Sequence, residues 1–281
     1  MKLRRSLLFY PALSTERWQE AMSSGADMIV FDLEDGTVPQ RRSEAREEIL
    51  PMFASSRSQA EPARLLRVNN PRSSDGLRDL LAVHDCNAPP DGLILPKIEH
   101  AEEVRWVRDI IAPQHNELEL IVLIESPRGI RNATEIAMAT QGTNGPQVTC
   151  LFLGSADFSA SIESDLGWDA LLHARSQIVL AAREANIDAM DGVWFDQHDE
   201  AGLIDEAQRV AAMGFTGKAS YDAHQVPFIH NAFAPSGEQI AWAERVMAAV
   251  EADELGTARV DGKMVNESIA RRARQLLARR L

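Results

Sequence analysis

Four acidic stretches in this chain each follow an apolar run. Asp32-Leu33-Glu34-Asp35 follows residues 28–31, and Lys97-Ile98-Glu99 follows 92–95. Glu125-Ser126-Pro127 follows 120–124, and Gly154-Ser155-Ala156-Asp157 follows 149–153. The runs read as short buried strands. Carboxylates that end separate strands converge only where those strands lie side by side and parallel, as at the reaction face of a parallel α/β barrel. Glu125 and Asp157, after neighbouring strands, are the leading candidates for a metal site. A hard divalent cation such as Mg2+ takes a few carboxylates and fills its other positions with water and substrate oxygens. The bland alternative is a pair of ordinary loop acids.

Other residues at the same mouths carry chemistry of their own. Asp32, Glu34 and Asp35 repel one another unless a cation or arginines neutralise them. They suit a supporting role, holding metal-bound water, and equally suit capping of the turn into Gly36-Thr37-Val38-Pro39. Arg67 ends the third strand, and its planar fork matches a carboxylate or an enolate oxygen. A salt bridge to the acids after strand two is a compatible reading. Lys97 stands where a Schiff-base lysine could stand, but Glu99 and the acidic mouth favour a charged ammonium. Gly154, Ser155 and Ala156 are small enough for close approach and could present backbone N–H groups to a substrate carboxylate; the alternative is a tight turn. Gly214-Phe215-Thr216-Gly217-Lys218 fails as a phosphate loop, with Ala212 at the first glycine position and Ala219 at the Ser/Thr position.

The elements needed to position these groups alternate along the chain. Strands are expected at 6–10, 28–32, 64–68, 92–95, 120–124, 149–153, 188–194 and 216–219. Helices are expected at 15–23, 43–54, 75–83, 101–112, 129–139, 170–185, 200–213 and 226–233. The strands are continuous apolar runs, as expected when both faces are buried. Eight β–α pairs predict an α/β fold, a (β/α)8 TIM barrel, with a doubly wound open sheet as the alternative. The expected domains are 1–252, the barrel with its final helix (237–251), and 253–281. The latter is a linker and a C-terminal helix (263–281) that could serve as a lid.

Composition narrows the function classes. The net charge of −13 argues against general affinity for nucleic acid or anionic membrane. Five arginines near the C-terminus, Arg271, Arg272, Arg274, Arg279 and Arg280, read as a solvated or intersubunit helix face. Cys86 and Cys150 have neither metal nor redox spacing, which fits a reduced, cytoplasmic protein. The apolar stretch 6–13 is short, contains Pro11 and lacks a cleavage site, so it reads as a strand and not as a signal peptide. Nothing approaches the roughly 20 apolar residues of a membrane span.

In order along the chain stand Arg5-Ser6-Leu7-Leu8-Phe9-Tyr10-Pro11, Ser24-Gly25-Ala26-Asp27, Asp32-Leu33-Glu34-Asp35, Ala45-Arg46 and Arg67-Val68-Asn69. Then come Leu95-Pro96-Lys97, Ile124-Glu125-Ser126, Leu153-Gly154-Ser155-Ala156-Asp157, Gly214–Lys218 and Asp261-Gly262-Lys263-Met264. Together these motifs resemble the citrate lyase β-subunit-like branch of the HpcH/HpaI aldolase superfamily, which includes malyl-CoA and citramalyl-CoA lyases. The resemblance runs from Arg5 to about Leu277. It implies a barrel with Mg2+ on Glu125 and Asp157, Arg67 against the substrate, and Glu34 and Asp35 supporting metal-bound water. It also implies a coenzyme A thioester and a small 2-oxo acid as ligands. A homotrimer or hexamer follows, with the C-terminal segment covering the site. Four sites depart from the family pattern. Asn266 stands where the family carries an acid/base aspartate. Tyr221-Asp222-Ala223 replaces Ile-His-Pro, with Asp222 as a candidate substitute for the missing carboxylate. Glu20 replaces a common lysine, and Arg42 replaces another more mildly. The expectation is a Mg2+-dependent carbon–carbon lyase acting on a short β-hydroxyacyl-CoA. The alternatives are a metal-dependent aldolase on a free 2-oxo acid and a binding protein that has lost turnover.

Overall fold

Eight parallel strands close on themselves in chain order in the computed structural model, which describes residues 4–56, 61–252 and 258–278. They are β1 (Ser6–Pro11), β2 (Met28–Asp32), β3 (Ala63–Arg67), β4 (Gly92–Leu95), β5 (Glu119–Ile124), β6 (Gln147–Leu153), β7 (Asp188–Asp191) and β8 (Gly217–Ser220). Closure comes from β1 against β8, with Leu7 opposite Ala219 and Leu8 opposite Ser220. The fold is the (β/α)8 barrel expected from the alternation.

Because side chains alternate along a strand, every second residue fills the barrel. Leu7 and Phe9, Met28 and Val30, Leu65, Ile94, Ile121 and Leu123, Cys150 and Phe152, Met190 and Ala219 form one buried cluster. The intervening residues, such as Ile29, Phe31, Leu93, Val122 and Leu151, are buried on the outer face. The next inward positions beyond this plug are Asp32, Arg67, Glu125, Gly154, Gly192 and Tyr221. The candidate site is therefore the continuation of the core's period-two pattern to the C-terminal ends of the strands.

Helices follow the strands with small departures from expectation. The expected helix 129–139 is two short pieces, Pro127–Arg131 and Ala133–Ala137, separated by Asn132 at φ −97° and ψ 9°. A helix absent from the sequence reading, Ser155–Ser161, follows β6 directly.

The chain divides into two compact units, Met1–His230 and Asn231–Leu281. The division falls before the helix Gly237–Glu251. That helix starts at a capping box of Ser236 and Gln239. It buries Ala243 and Val246 with Val265 and Ala273 of the C-terminal segment. Residues 263–264, expected to be helical, pair instead as β10 (Lys263–Met264) with β9 (Arg259–Val260). Asp261 (φ 51°) and Gly262 (φ 79°) make the two-residue turn, both in the left-handed region that such hairpins need. The helix proper is Glu267–Ala278.

Candidate active site

The acids after β2 divide by orientation. Asp32 is buried, and its Oδ1 and Oδ2 accept the backbone N–H groups of Glu34 and Gly36 at 2.9 and 2.7 Å. The same two oxygens accept Nε and Nη2 of Arg67 at 2.7 and 2.6 Å. Both sequence readings of Asp32, turn capping and a bridge to Arg67, describe one arrangement. Glu34 turns inward and is 4% exposed, whereas the Asp35 side chain is 57% exposed. Glu34 Oε1 accepts from Lys97 Nζ at 2.6 Å. Its Oε2 lies 3.1 Å from Arg67 Nη1, yet is buried without a hydrogen-bond donor.

Arg67 is 4% exposed, held by Asp32 on one edge and resting its guanidinium 5.2 Å above the Phe9 ring. Burial opposes its charge, but Asp32 and Glu34 outweigh burial and keep it protonated. Lys97 adopts φ 57°, which places its backbone N–H 2.9 Å from Glu125 Oε1 while its side chain reaches Glu34. Burial works against the Lys97 ammonium, and Glu34, Asp35 and Glu125 overcome it, raising its pKa. A Schiff base needs the neutral amine, so this environment favours the charged-lysine reading.

Glu125 is 5% exposed and meets Asp157, the third residue of the helix Ser155–Ser161. Burial, then the neighbouring carboxylates of Glu34 and Asp157, push its carboxyl up to about 9. A Cβ at Gly154 would lie 2.5 Å from Glu125 Oε2, so residue 154 has no room for a side chain. Ser155 is buried with its hydroxyl against Gly192, and Ala156 is exposed in the first helical turn. The acidic loop is braced from behind. Asn69 Nδ2 donates to Leu33 O at 3.0 Å and to Asp79 Oδ2 at 2.8 Å, and Arg46 Nε donates to Asp79 Oδ1 at 2.7 Å.

Among the described residues, no three His, Cys, Asp or Glu side chains are arranged to chelate a metal alone. The donor set still suits Mg2+, which needs only a few carboxylates and keeps water and substrate oxygens. Two features of the site favour a cation. Among the described residues, five carboxylates, Asp32, Glu34, Asp35, Glu125 and Asp157, share the two cations Arg67 and Lys97, and Glu34 Oε2 is a buried acceptor with no hydrogen-bond donor.

Tyr221 was noted in the sequence only as a departure from the family pattern. Its ring centroid lies 5.3 Å from that of Phe9 and 6.3 Å from that of Phe195. Its phenol is raised first by burial, then lowered by Arg67 and raised by Asp32, Asp35 and Glu125, so it shares the field of the mouth. The period-two register of β8 was the available signal, since Ala219 fills the barrel and residue 221 is the next inward position. Asp222, a possible substitute carboxylate, accepts the His224 N–H at 2.9 Å through Oδ1. Asn266 lies in the second unit, where its Oδ1 accepts the Ile269 N–H at 3.0 Å and caps the last helix.

No described helix is long and apolar enough to cross a membrane. The HpcH/HpaI aldolase/citrate lyase family model matches residues 5–223. The chain is 32% identical to the citrate lyase subunit beta of Escherichia coli over 99% of its own length and 93% of that protein. It is 30% identical to the mitochondrial citramalyl-CoA lyase of Mus musculus over 98% and 85% of the two chains. The crystal structure of CitE from Mycobacterium tuberculosis in complex with magnesium, acetoacetate and coenzyme A is similar at a TM-score of 0.81 and 30% identity. That likeness covers 99% of this chain and 98% of the other. The chain belongs to the HpcH/HpaI aldolase/citrate lyase family of aldolases and lyases.

Proposed function

We propose that the protein is a Mg2+-dependent carbon–carbon lyase that cleaves or forms a short β-hydroxyacyl-CoA, interconverting it with an acyl-CoA and a 2-oxo acid. The observation that carries this reading is the juxtaposition of a buried, donor-poor carboxylate cluster with one rigidly held arginine. Coenzyme A is assigned through the family relatives, not through the geometry of the barrel.

In the cleavage direction the hydroxyl of the substrate loses its proton and the carbon–carbon bond breaks. Its electron pair passes to the acyl thioester as an enolate, which then takes a proton. Glu125 and Asp157 would hold Mg2+, which supplies Lewis acidity to the 2-oxo acid's carbonyl when bound. Asp32 fixes the plane of the Arg67 fork, and Nη1, which lies 3.1 Å from Glu34 Oε2, would present an N–H to the enolate oxygen. A preorganised donor of this kind lowers the barrier because it need not reorient during reaction. Lys97 offsets the charge of Glu34 and keeps the loop closed over the acidic cluster. The backbone N–H groups of Ser155 and Ala156, at the start of their helix, would receive the substrate carboxylate beside Gly154.

A second reading rests on Asn266. An amide takes no proton at neutral pH, and this one is already committed to capping a helix. A chain that binds ligand without turnover is consistent with that position. Asparagine and aspartate cap helices about equally well, so Asn266→Asp preserves the helix and tests only the proton chemistry.

The decisive test is release of 2-oxo acid from malyl-, citramalyl- and citryl-CoA, with Mg2+ and with chelator. Metal-dependent release is expected from one of the three. Silence across the panel, with activity gained in Asn266→Asp, would establish the second reading. Calorimetry supplies the check on the site itself: Mg2+ binding unchanged in Glu125→Gln would place the metal elsewhere. The same reading takes the chain as a cytoplasmic homotrimer or hexamer, to be measured by light scattering.

A further inference from the structure

The β7, β8 and β1 side of the mouth is aromatic, unlike the acidic β2–β6 side. Phe9, Tyr221 and Phe195 form a continuous run of rings from the barrel plug outward. Phe9 is 5% exposed, whereas Tyr221 and Phe195 are 49% and 47% exposed. Large rings at the open end of a barrel leave apolar area that a ligand covers favourably. The cation resting on this run is Arg67, and its outer edge is already committed to Asp32. Asp196 and Asp222 follow the two outer rings in sequence and accept the backbone N–H groups of His198 and His224 at 2.9 Å each.

We propose that this wall sets the substrate class, admitting a 2-oxo acid with a short alkyl substituent and excluding one that carries a second carboxylate. The inference rests on the lyase reading given above. The oxygens of a 2-oxo acid are drawn to the β3–β6 side, where Arg67 and the N–H groups after Gly154 are found. Its remaining carbon substituent is left against Tyr221 and Phe9. An alkyl group there covers ring surface. A carboxylate there loses water, and the cation against the wall, Arg67, is already shared by Asp32 and Glu34, so the added charge finds no free partner and is costly to desolvate.

The test is calorimetric binding of pyruvate, 2-oxobutanoate and oxaloacetate in the presence of Mg2+, to the wild type and to Tyr221→Ala, Tyr221→Phe and Phe195→Ala. The wild type is expected to bind 2-oxobutanoate at least about 10-fold more tightly than oxaloacetate, the scale on which one small group is discriminated. Tyr221→Ala should erase most of that ratio and Phe195→Ala part of it, while Tyr221→Phe keeps it because the ring is retained. Tyr221 is half exposed, and melting curves establish that each variant is folded. Equal or tighter binding of oxaloacetate by the wild type would overturn the proposal and leave the lyase reading standing. So would a ratio unchanged in Tyr221→Ala. Binding of none of the three acids by folded, Mg2+-loaded protein would overturn both.

Discussion

Two buried charge clusters are built from the same residue types to opposite effect. One is the mouth just described. The other lies between the outer faces of β7 and β8 and the helices Trp168–Glu184 and Glu200–Met213. There Lys218 Nζ donates to Asp191 Oδ2 at 2.8 Å, Gly192 O at 2.8 Å and Glu206 Oε1 at 2.6 Å. Arg175 donates through Nε to Asp191 Oδ1 at 3.0 Å, and its Nη2 lies 2.9 Å from Glu206 Oε2. Two cations meet two carboxylates and all three ammonium protons of Lys218 are used, though Arg175 Nη1 is buried without an acceptor. In the mouth, five carboxylates meet two cations, and Glu34 Oε2 is buried without a hydrogen-bond donor. A charge-matched cluster is neutral in the folded chain. An unbalanced one is held in place by the fold around it and is completed by what it binds.

The largest expected effect comes from breaking the balanced cluster. Lys218→Met leaves Asp191 and Glu206 without their ammonium and should cost about 3–5 kcal/mol of stability in urea unfolding. Next is Arg67→Lys, which replaces the fork by a single point. Its kcat should fall about 100-fold or more, the usual scale for one lost preorganised donor. Its melting temperature should move little, since Asp32 keeps the N–H groups of Glu34 and Gly36. A melting loss as large as that of Lys218→Met would erase the distinction between the clusters. Glu125→Gln separates them further. It should abolish Mg2+ binding yet cost metal-free protein less than about 1 kcal/mol, because the amide keeps an acceptor for the Lys97 N–H and relieves the crowding of Glu125 against Glu34 and Asp157.

Acid sharpens the same contrast. The pKa of Asp191 is lowered, with Lys218 and Arg175 overcoming its burial. Its stabilisation is therefore fully present above the unfolded carboxyl value near about 3.9 and is lost as pH falls through the lower folded value. Urea midpoints that stay level from pH 4 to pH 2 would contradict this. The smallest effect belongs to His230, which burial holds below its ordinary value while Asp27 pulls upward. Its Nε2 shares a 2.7 Å hydrogen bond with Ser6 Oγ. This contribution is present above the unfolded histidine value of about 6.5 and declines as pH falls toward the folded one. His230→Asn should flatten that part of the stability profile between pH 7 and pH 5.

Much of the architecture is legible in the chain. Apolar runs in β1, β2, β4, β5 and β6 point to a parallel sheet covered on both faces, and the alternation of eight strand–helix pairs closes a barrel. The period-two pattern also marks which residues reach the rim, because it continues from Met28 and Val30 to Asp32 and from Ile121 and Leu123 to Glu125. Local chemistry was readable at Asp32, placed to cap the turn that follows it.

Periodicity assigns a face but not a partner. That Glu34 turns inward while Asp35 stays in solvent depends on Lys97, 63 residues away, reaching across from β4. That Lys218 belongs to a buried ion cluster and not to any phosphate loop depends on Arg175 and Glu206, contributed by two separate helices. The ring run of Phe9, Tyr221 and Phe195 exists only because β8 closes on β1. The second unit takes the helix Gly237–Glu251 because its apolar stripe fits residues that come after it. Composition and spacing determined the barrel, its rim and the acidic character of its mouth, since those follow from local geometry and burial. The tertiary structure alone decided which charges neutralise each other and which remain open, because that choice is made between side chains far apart in sequence.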